Sequence, residues 1–285
     1  MKVFARQKPP AGDLYLDHVA HYVPDLEAAG ALLAQLGFAP TPVSHHQIGG
    51  KPAGTSNRCL MLPEGYIEIL APTHDTPNAQ RVRDRMKIFQ GVHLACFGTP
   101  DAQAEHRRLE AHGFAPEPVV PLRRKISGNR LLKFNVVYSP RDKMPEGRIQ
   151  YCEHLTPQHL WDAPSLAHKN GVRGLSTVYV VADDPAAVAA RWAEYSGTLP
   201  FREGDFVRIQ LARGKIVFGT RGVFLKIIDH VPAAPAIAAI GLAFKDPVAF
   251  AKRCKSAGLA VKKNAVTLPA ALGGTWILEK QGVNA

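Results

Sequence analysis

The hydrophobic and polar positions of this chain repeat one phrase four times. An alternating apolar run leads into an Asp/Pro pair, then a stretch with helical spacing, then Gly. The first phrase is Leu16-Asp17-His18-Val19-Ala20-His21-Tyr22-Val23, then Pro24-Asp25, then an Ala/Leu-rich stretch ending at Gly37-Phe38. The second opens at Gly91-Val92-His93-Leu94-Ala95-Cys96-Phe97, passes Pro100-Asp101 and ends at Gly113-Phe114. The third runs from Ser176 through Asp184-Pro185 to Gly197, and the fourth from Ile240 through Asp246-Pro247 to Gly258-Leu259.

Each part of the phrase has a physical role. An Asp carboxylate accepts the orphan N–H groups of a first helical turn. Proline at the first helical position has no N–H to lose, and a closing glycine can take the left-handed conformation that stops a helix. Leu26, Ala29, Leu32, Leu33 and Leu36 recur at three- and four-residue spacing, so one helix face is apolar. Three short strands follow each helix, in the first phrase around 41–46, 56–62 and 65–70. The unit is therefore β-α-β-β-β. Its closing glycines stand 76, 84 and 61 residues apart, too irregular a period for a solenoid. The polar, Pro-containing stretch between Leu155 and Gly171 reads as a linker between two pairs of units.

Composition narrows the class. The chain has 285 residues, with 46% apolar and 21% charged, an ordinary globular balance. No apolar run reaches the ~18–20 residues that span a bilayer. The basic start of the chain lacks the apolar region of a secretory signal. Cys59, Cys96, Cys152 and Cys254 form no C-x-x-C pair and lie in apolar segments, which fits buried thiols in a reducing compartment. A cytoplasmic location is the expectation.

Candidate chemistry comes from strand faces. Residues i, i+2 and i+4 share a face, so His18 sits with Ala20 and Tyr22, while His21 points the other way. Glu68 lies between Ile67 and Ile69 in the last strand of the first unit. A carboxylate there is costly unless it is paired or bound to metal. The second unit carries His93 on its first strand and Glu153 on its last. Two histidines and two glutamates at repeated places form a ligand set for Ni, Co, Mn, Fe or Zn.

These residues resemble the vicinal oxygen chelate superfamily, which includes glyoxalases, extradiol dioxygenases and bleomycin-resistance proteins. The run Leu16–Leu26 is similar to its first strand and helix start. Gly54-Thr55-Ser56-Asn57-Arg58 followed by Gly65-Tyr66-Ile67-Glu68 resembles its glyoxalase-like branch. The resemblance implies an α+β fold of four βαβββ modules forming two eight-stranded cups. The pairs would cover 14–155, with the metal site, and 172–280, with a degenerate one. It implies a metal on His18, Glu68, His93 and Glu153, spaced by 50, 25 and 60 residues. That metal would be a Lewis acid toward the vicinal oxygens of a small substrate, and Glu153 or Glu68 would move a proton.

The second pair departs from the pattern. Ser176 stands where His18 would be, Leu225 (read through Gly222-Val223-Phe224-Leu225) where Glu68 would be, and Glu279 is the one candidate ligand of the last module. The formal charge of +11 is uneven as well. The window 121–148 holds eight basic and two acidic residues. It reads as a solvated hairpin or as an anion-binding loop at the cup mouth, with Arg124 and Arg130 as candidates. Asn57 and Arg58 are candidates for the cup interior or rim. His45-His46 reads as surface.

The expected activity is metal-dependent isomerase or lyase chemistry on a small oxygenated, possibly anionic, substrate. The alternatives are an extradiol-type dioxygenase in the same cup and a non-catalytic small-molecule binding protein. The expected partners are that small molecule and possibly a second copy of the chain. Nucleic acid is not expected, because the basic window interleaves few aromatics; a membrane is not expected either. Phosphate-loop and nucleophile-elbow motifs are absent.

Overall fold

The structure is a computed structural model. It describes residues 3–48, 50–126 and 130–282, with backbone alone at Ile48, Arg124 and Lys125. The first module is β1 (Tyr15–Tyr22), α1 (Leu26–Gln35), β2 (Ser44–Ile48), β3 (Lys51–Met61) and β4 (Tyr66–Pro72). The second, after helix α2 (Pro77–Ile88), is β5 (Gly91–Gly98), α3 (Ala102–Ala111), β6 (Val120–Ile126), β7 (Arg130–Tyr138) and β8 (Arg148–His154). The third is β9 (Val172–Val181), α4 (Pro185–Ser196), β10 (Pro200–Glu203), β11 (Phe206–Gln210) and β12 (Lys215–Gly219), followed by α5 (Arg221–Leu225). The fourth is β13 (Ala236–Phe244), α6 (Pro247–Ser256), β14 (Val261–Lys262), β15 (Ala265–Thr267) and β16 (Thr275–Lys280).

The four helices that follow first strands start as the sequence implies. Asp25, Asp101, Asp184 and Asp246 each accept first-turn N–H groups, and Pro185 and Pro247 occupy the first helical positions. The modules pair into two eight-stranded sheets, ordered β2-β3-β4-β1-β5-β8-β7-β6 and β10-β11-β12-β9-β13-β16-β15-β14. In each sheet the two first strands meet antiparallel at the centre, and each is flanked by its own module's last strand in parallel. The fold is α+β, four βαβββ modules in two curled sheets.

Two helices and one ordered segment depart from the sequence reading. Helix α2 lays Val82 and Met86 against Ala20, Tyr22, Leu70 and Leu94 inside the first cup. Helix α5 occupies 221–225, where the sequence suggested a last strand ending at Leu225. Thr220 caps this turn through Val223 N–H, and Phe224 turns into the second cup. The true last strand of module three is β12. The stretch 155–171 is no solvated tether. Trp161 is buried and donates to Leu62 O at 2.9 Å, and His168 bonds to Met61 O at 2.7 Å. Among the described residues no helix is long and apolar enough to cross a membrane.

The outer faces of both sheets and α1, α3, α4 and α6 share one continuous core. His21 marks where the two sheets meet. The indole N–H of Trp276 donates to His21 Nε2 at 3.0 Å, so that nitrogen carries no proton. Nδ1 holds the proton and donates to Leu272 O at 3.2 Å. Burial, partly opposed by this bond, holds His21 down to about 4, consistent with a neutral ring. The core is therefore common to both halves. Trp276→Ala should cost about 3–5 kcal/mol and still give a single urea transition for the whole chain. Two separated transitions, with the first cup unaffected, would show that the halves are independent.

Candidate metal centre

Strand alternation and register lay out the first cup in rows. Asn57, Cys59 and Met61 of β3 share the inner face with Tyr66, Glu68 and Leu70 of β4, since they pair directly or lie two residues along. One row runs Tyr66–His18–Cys96–Gln150–Tyr138 across β4, β1, β5, β8 and β7. The next runs Glu68–Ala20–Leu94–Arg148. Below them, Cys152 and His154 of β8 reach the closed end, where Trp161 packs edge-on against Tyr66 and His154.

A bulge adds a residue that strict alternation would turn outward. Leu16 pairs with Phe97 and His18 with Cys96, so Asp17 is extra on β1. Its side chain joins His18 inside. Gly98 leaves room for it, because a Cβ there would meet the Asp17 side chain at 3.3 Å. Asp17 Oδ2 accepts from His18 Nδ1 at 2.6 Å, and His154 Nε2 lies 3.0 and 3.1 Å from the two carboxylate oxygens. His18 also stacks on Tyr66 at 4.3 Å. Asp17 is wholly buried, and His18, Cys96, Cys152 and His154 are each at most 4% exposed.

The electrostatics follow from that burial. Desolvation alone would raise the Asp17 carboxyl. The charges and hydrogen bonds of His154 and His18 outweigh it and hold the carboxyl far below its ordinary range. Burial would lower His154, but the Asp17 charge, with Cys152 beside it, pushes the ring up to about 10. The Cys96 hydrogen bond and the His154 charge bring the Cys152 thiol down to about 6 against the opposing effect of burial.

This donor set has the chemistry of a divalent-metal site. The ligand atoms of Asp17, His18 and Cys96 lie within 4.8 Å of one another, as do those of Asp17, Cys152 and His154. Spacings of 2.6–3.1 Å between the Asp17 oxygens and the two imidazole nitrogens are near those of adjacent donors around an ion with bonds of about 2.1 Å. Oxygen, nitrogen and sulfur together suit a borderline ion such as Zn, Fe or Co better than Mg or Ca.

The four ligands suggested by the sequence do not converge among the described residues. His18 joins the Asp17 cluster. Glu68 faces the cup one row away, accepting from Asn57 Nδ2 at 2.6 Å, with His46 Nε2 at 3.8 Å. His93 sits on a second bulge, packed on Phe89 at 4.0 Å and bonded to Phe89 O at 2.9 Å. Burial, partly opposed by that bond, holds it down to about 4. Glu153 is on the outer face of β8 and accepts from Ala102 N at the start of α3 and from Asn135 Nδ2. The register counterparts of His18 and Glu68 in module two are Leu94 and Gln150. The sequence reading was therefore one residue off on the first strand and three off on the last.

The candidate substrate residues also divide. Asn57 is in the cup, where it holds Glu68. Arg58 has the opposite parity and faces α1, where its Nη2 donates to both Glu27 oxygens at 2.6 Å. Gly30 makes room for it, since a Cβ there would meet Arg58 Nε at 3.3 Å. Arg130 pairs with Asp162 at 3.2 Å. The side chain of Arg124 lies outside the described residues. The basic window 121–148 supplies β7 and most of β6 as well as a loop, so it is part of the sheet. His46 is not plain surface, because its Nδ1 bonds Thr55 Oγ1 at 2.9 Å on the edge of the cup.

In the second cup, Thr177 pairs with Lys215 as His18 pairs with Tyr66, so Thr177, not Ser176, is the counterpart of His18. Glu279 accepts from Thr177, Tyr179 and Lys215 at 2.8–3.2 Å. An internal ion pair occupies the place of the donors.

The family model described as a glyoxalase-like domain matches residues 16–196, and the chain belongs to that family. Among solved structures the chain resembles a hypothetical protein from Staphylococcus aureus, at 13% identity over 94% of this chain and 100% of that one, TM-score 0.64. It also resembles a variant of 4-hydroxymandelate synthase from Streptomyces coelicolor (17% identity, 91% and 78% covered, TM-score 0.57). A third is the Mn(II)-bound glyoxalase from Novosphingobium aromaticivorans (12% identity, 94% and 82% covered, TM-score 0.56). At these identities the likeness is one of fold. No curated protein matches the chain in sequence.

In metal-free protein, nitrogen-detected NMR should show His154 charged through neutral pH and losing its proton near 10. Asp17→Asn removes the main charge that raises it, leaves burial dominant and should bring that titration to about 7 or lower. An unchanged titration in the variant would refute the pairing.

Proposed function

We propose that this chain is a metal-dependent enzyme whose first cup holds one divalent ion on Asp17, His18 and His154, with Cys96 and Cys152 beside it. The observation that carries this reading is a buried carboxylate shared by two buried donor groups, Asp17 with His18 and Cys96 and Asp17 with Cys152 and His154, at the closed end of a glyoxalase-like cup. The proposed reaction is a proton transfer on a small oxygenated, anionic substrate, in the isomerase or lyase class. A bound ion would supply Lewis acidity toward the substrate's oxygens.

The chain's own residues have assigned parts in this proposal. Glu68 is the general acid–base group. Its Oε1 is fixed by Asn57, and its row lies next to that of His18. Tyr66 and Trp161 close the floor and exclude water from the donors. A second reading has specific support, because His18, His154 and Asp17 make two histidines and one carboxylate, the donor types of non-haem iron oxygenases. Oxygen consumption during turnover would separate it from proton transfer.

Metal analysis of protein purified without chelator should give close to one ion per chain, or reach it on reconstitution. His18→Ala and His154→Ala should each lose more than about nine-tenths of it, while His93→Ala, Glu153→Gln and Glu68→Gln keep it. Metal-free wild type that takes up none, or equal loss from His93→Ala, would overturn the proposal.

A further inference from the structure

Above the donor cluster, one wall of the first cup carries a cation that no carboxylate meets at ion-pair distance among the described residues, although Glu68 across the row attracts it. Arg148 ends the row Glu68–Ala20–Leu94–Arg148, on the inner face of β8. Its guanidinium lies over the Tyr138 ring, 4.4 Å from the centroid, and hydrogen-bonds Tyr22. It is half-buried. Among the described residues no carboxylate lies within ion-pair distance of it. Arg85 of α2 and Arg141 approach the same corner closely enough to repel each other, and Asp84 lies near Arg141. Arg85 bonds only the Pro145 carbonyl, at 3.5 Å.

A second observation comes from the next position along the same face. Gln150 is 7% exposed, and its Oε1 is buried without a hydrogen-bond partner. Gln150 sits in the row of His18 and Cys96, between Arg148 and Cys152 along β8. Leaving such an acceptor unpaired costs about 1–3 kcal/mol. A guanidinium with no carboxylate at ion-pair distance, beside an unpaired amide oxygen, is an arrangement that a ligand would complete. Glu68 attracts Arg148 from across the row without bonding it, and Gln150 Oε1 lacks a donor.

We infer that Arg148 is the substrate-recognition residue for a carboxylate, with Gln150 accepting from a hydroxyl or amide N–H of the same molecule. This deepens the function proposed above and rests on it, since it names the substrate class as small carboxylic acids. Several features favour a carboxylate over a phosphate. A guanidinium fork matches the two oxygens of a planar carboxylate. Among the described residues Arg148 is the one cation in its row on the inner wall, whereas Arg85 and Arg141 sit at the Tyr22 end. A carboxylate held on Arg148 places the rest of the molecule between the Glu68 wall and the donor cluster. Arg85 and Arg141 then raise the local concentration of anions at the entrance.

The test uses probes that are weak chelators, so that Arg148 is read apart from any metal. Calorimetry on the purified full chain compares acetate with acetamide, and 3-phenylpropionate with 3-phenylpropionamide. At least one acid should bind about tenfold or more tighter than its amide, and inorganic phosphate should bind more weakly than that acid. Arg148→Met should remove the acid preference while leaving metal content and the melting temperature near wild type. Arg148→Lys, which keeps the charge without the fork, should restore part of it. Wild type that binds amides as tightly as acids, binds no acid, or prefers phosphate overturns the inference, and so does a preference that survives in Arg148→Met. The wild-type comparison decides the matter even where a variant fails to fold. Metal content on the same samples separates the two proposals. An acid preference without metal sinks only the metal reading, and metal without an acid preference sinks only this one.

Discussion

The first cup is organised around one buried carboxylate. Asp17 is wholly buried, and stripping water from an isolated carboxylate costs several kcal/mol. Two imidazoles offset that cost, one from the same strand and one from the end of β8. The requirement propagates outward. β1 must bulge to turn Asp17 inward, Gly98 must lack a side chain to admit it, and β8 must end with His154 beneath it. Trp161 then seals the floor from a segment that crosses between the halves.

The second half supports this arrangement without duplicating it. Leu16, just before the bulge, donates its N–H to Arg213 O at 2.7 Å. The Arg213 guanidinium lies 4.2 Å from the centre of the Tyr15 ring. His21 is locked as a neutral ring by Trp276 and Leu272. At the matching place in the second cup, Lys215 and Glu279 pair with each other, so the charge that would call for a ligand is already met. The two cups share a fold, but among the described residues the donor cluster lies in the first, where Arg148 has no carboxylate at ion-pair distance.

Much of the architecture was legible in the sequence because it rests on local rules. Capping Asp residues with an adjacent Pro and two-residue alternation repeat four times, and each is read without long-range knowledge. Helix α5 was missed because five residues with an apolar centre read equally well as a strand. The site was legible only in part. His18 was set on a face with Ala20 and Tyr22 by parity, Glu68 stood out as a carboxylate between Ile67 and Ile69, and Asn57 was named with Arg58 for the cup interior or rim. Asp17 was invisible, since a bulge is set by pairing with β5, not by β1 alone. His154, next to Glu153, was passed over for the acidic neighbour, although parity with Cys152 and Gln150 would have put it inside. Arg58 and Glu153 were misread for the same reason, each lying one position from an inward-facing residue. Arg148 was counted in the basic window, but only the register across β8, β5, β1 and β4 shows that it faces Glu68.

The central claim is that the ion sits on Asp17, His18 and His154, at the closed end of the first cup. Anomalous diffraction from crystals loaded with Co(II) tests it directly. The account predicts one peak within bonding distance of Asp17, His18 and His154, and its loss in Asp17→Asn. A peak beside Glu68 or His93 instead, or no peak in the first cup, would contradict it.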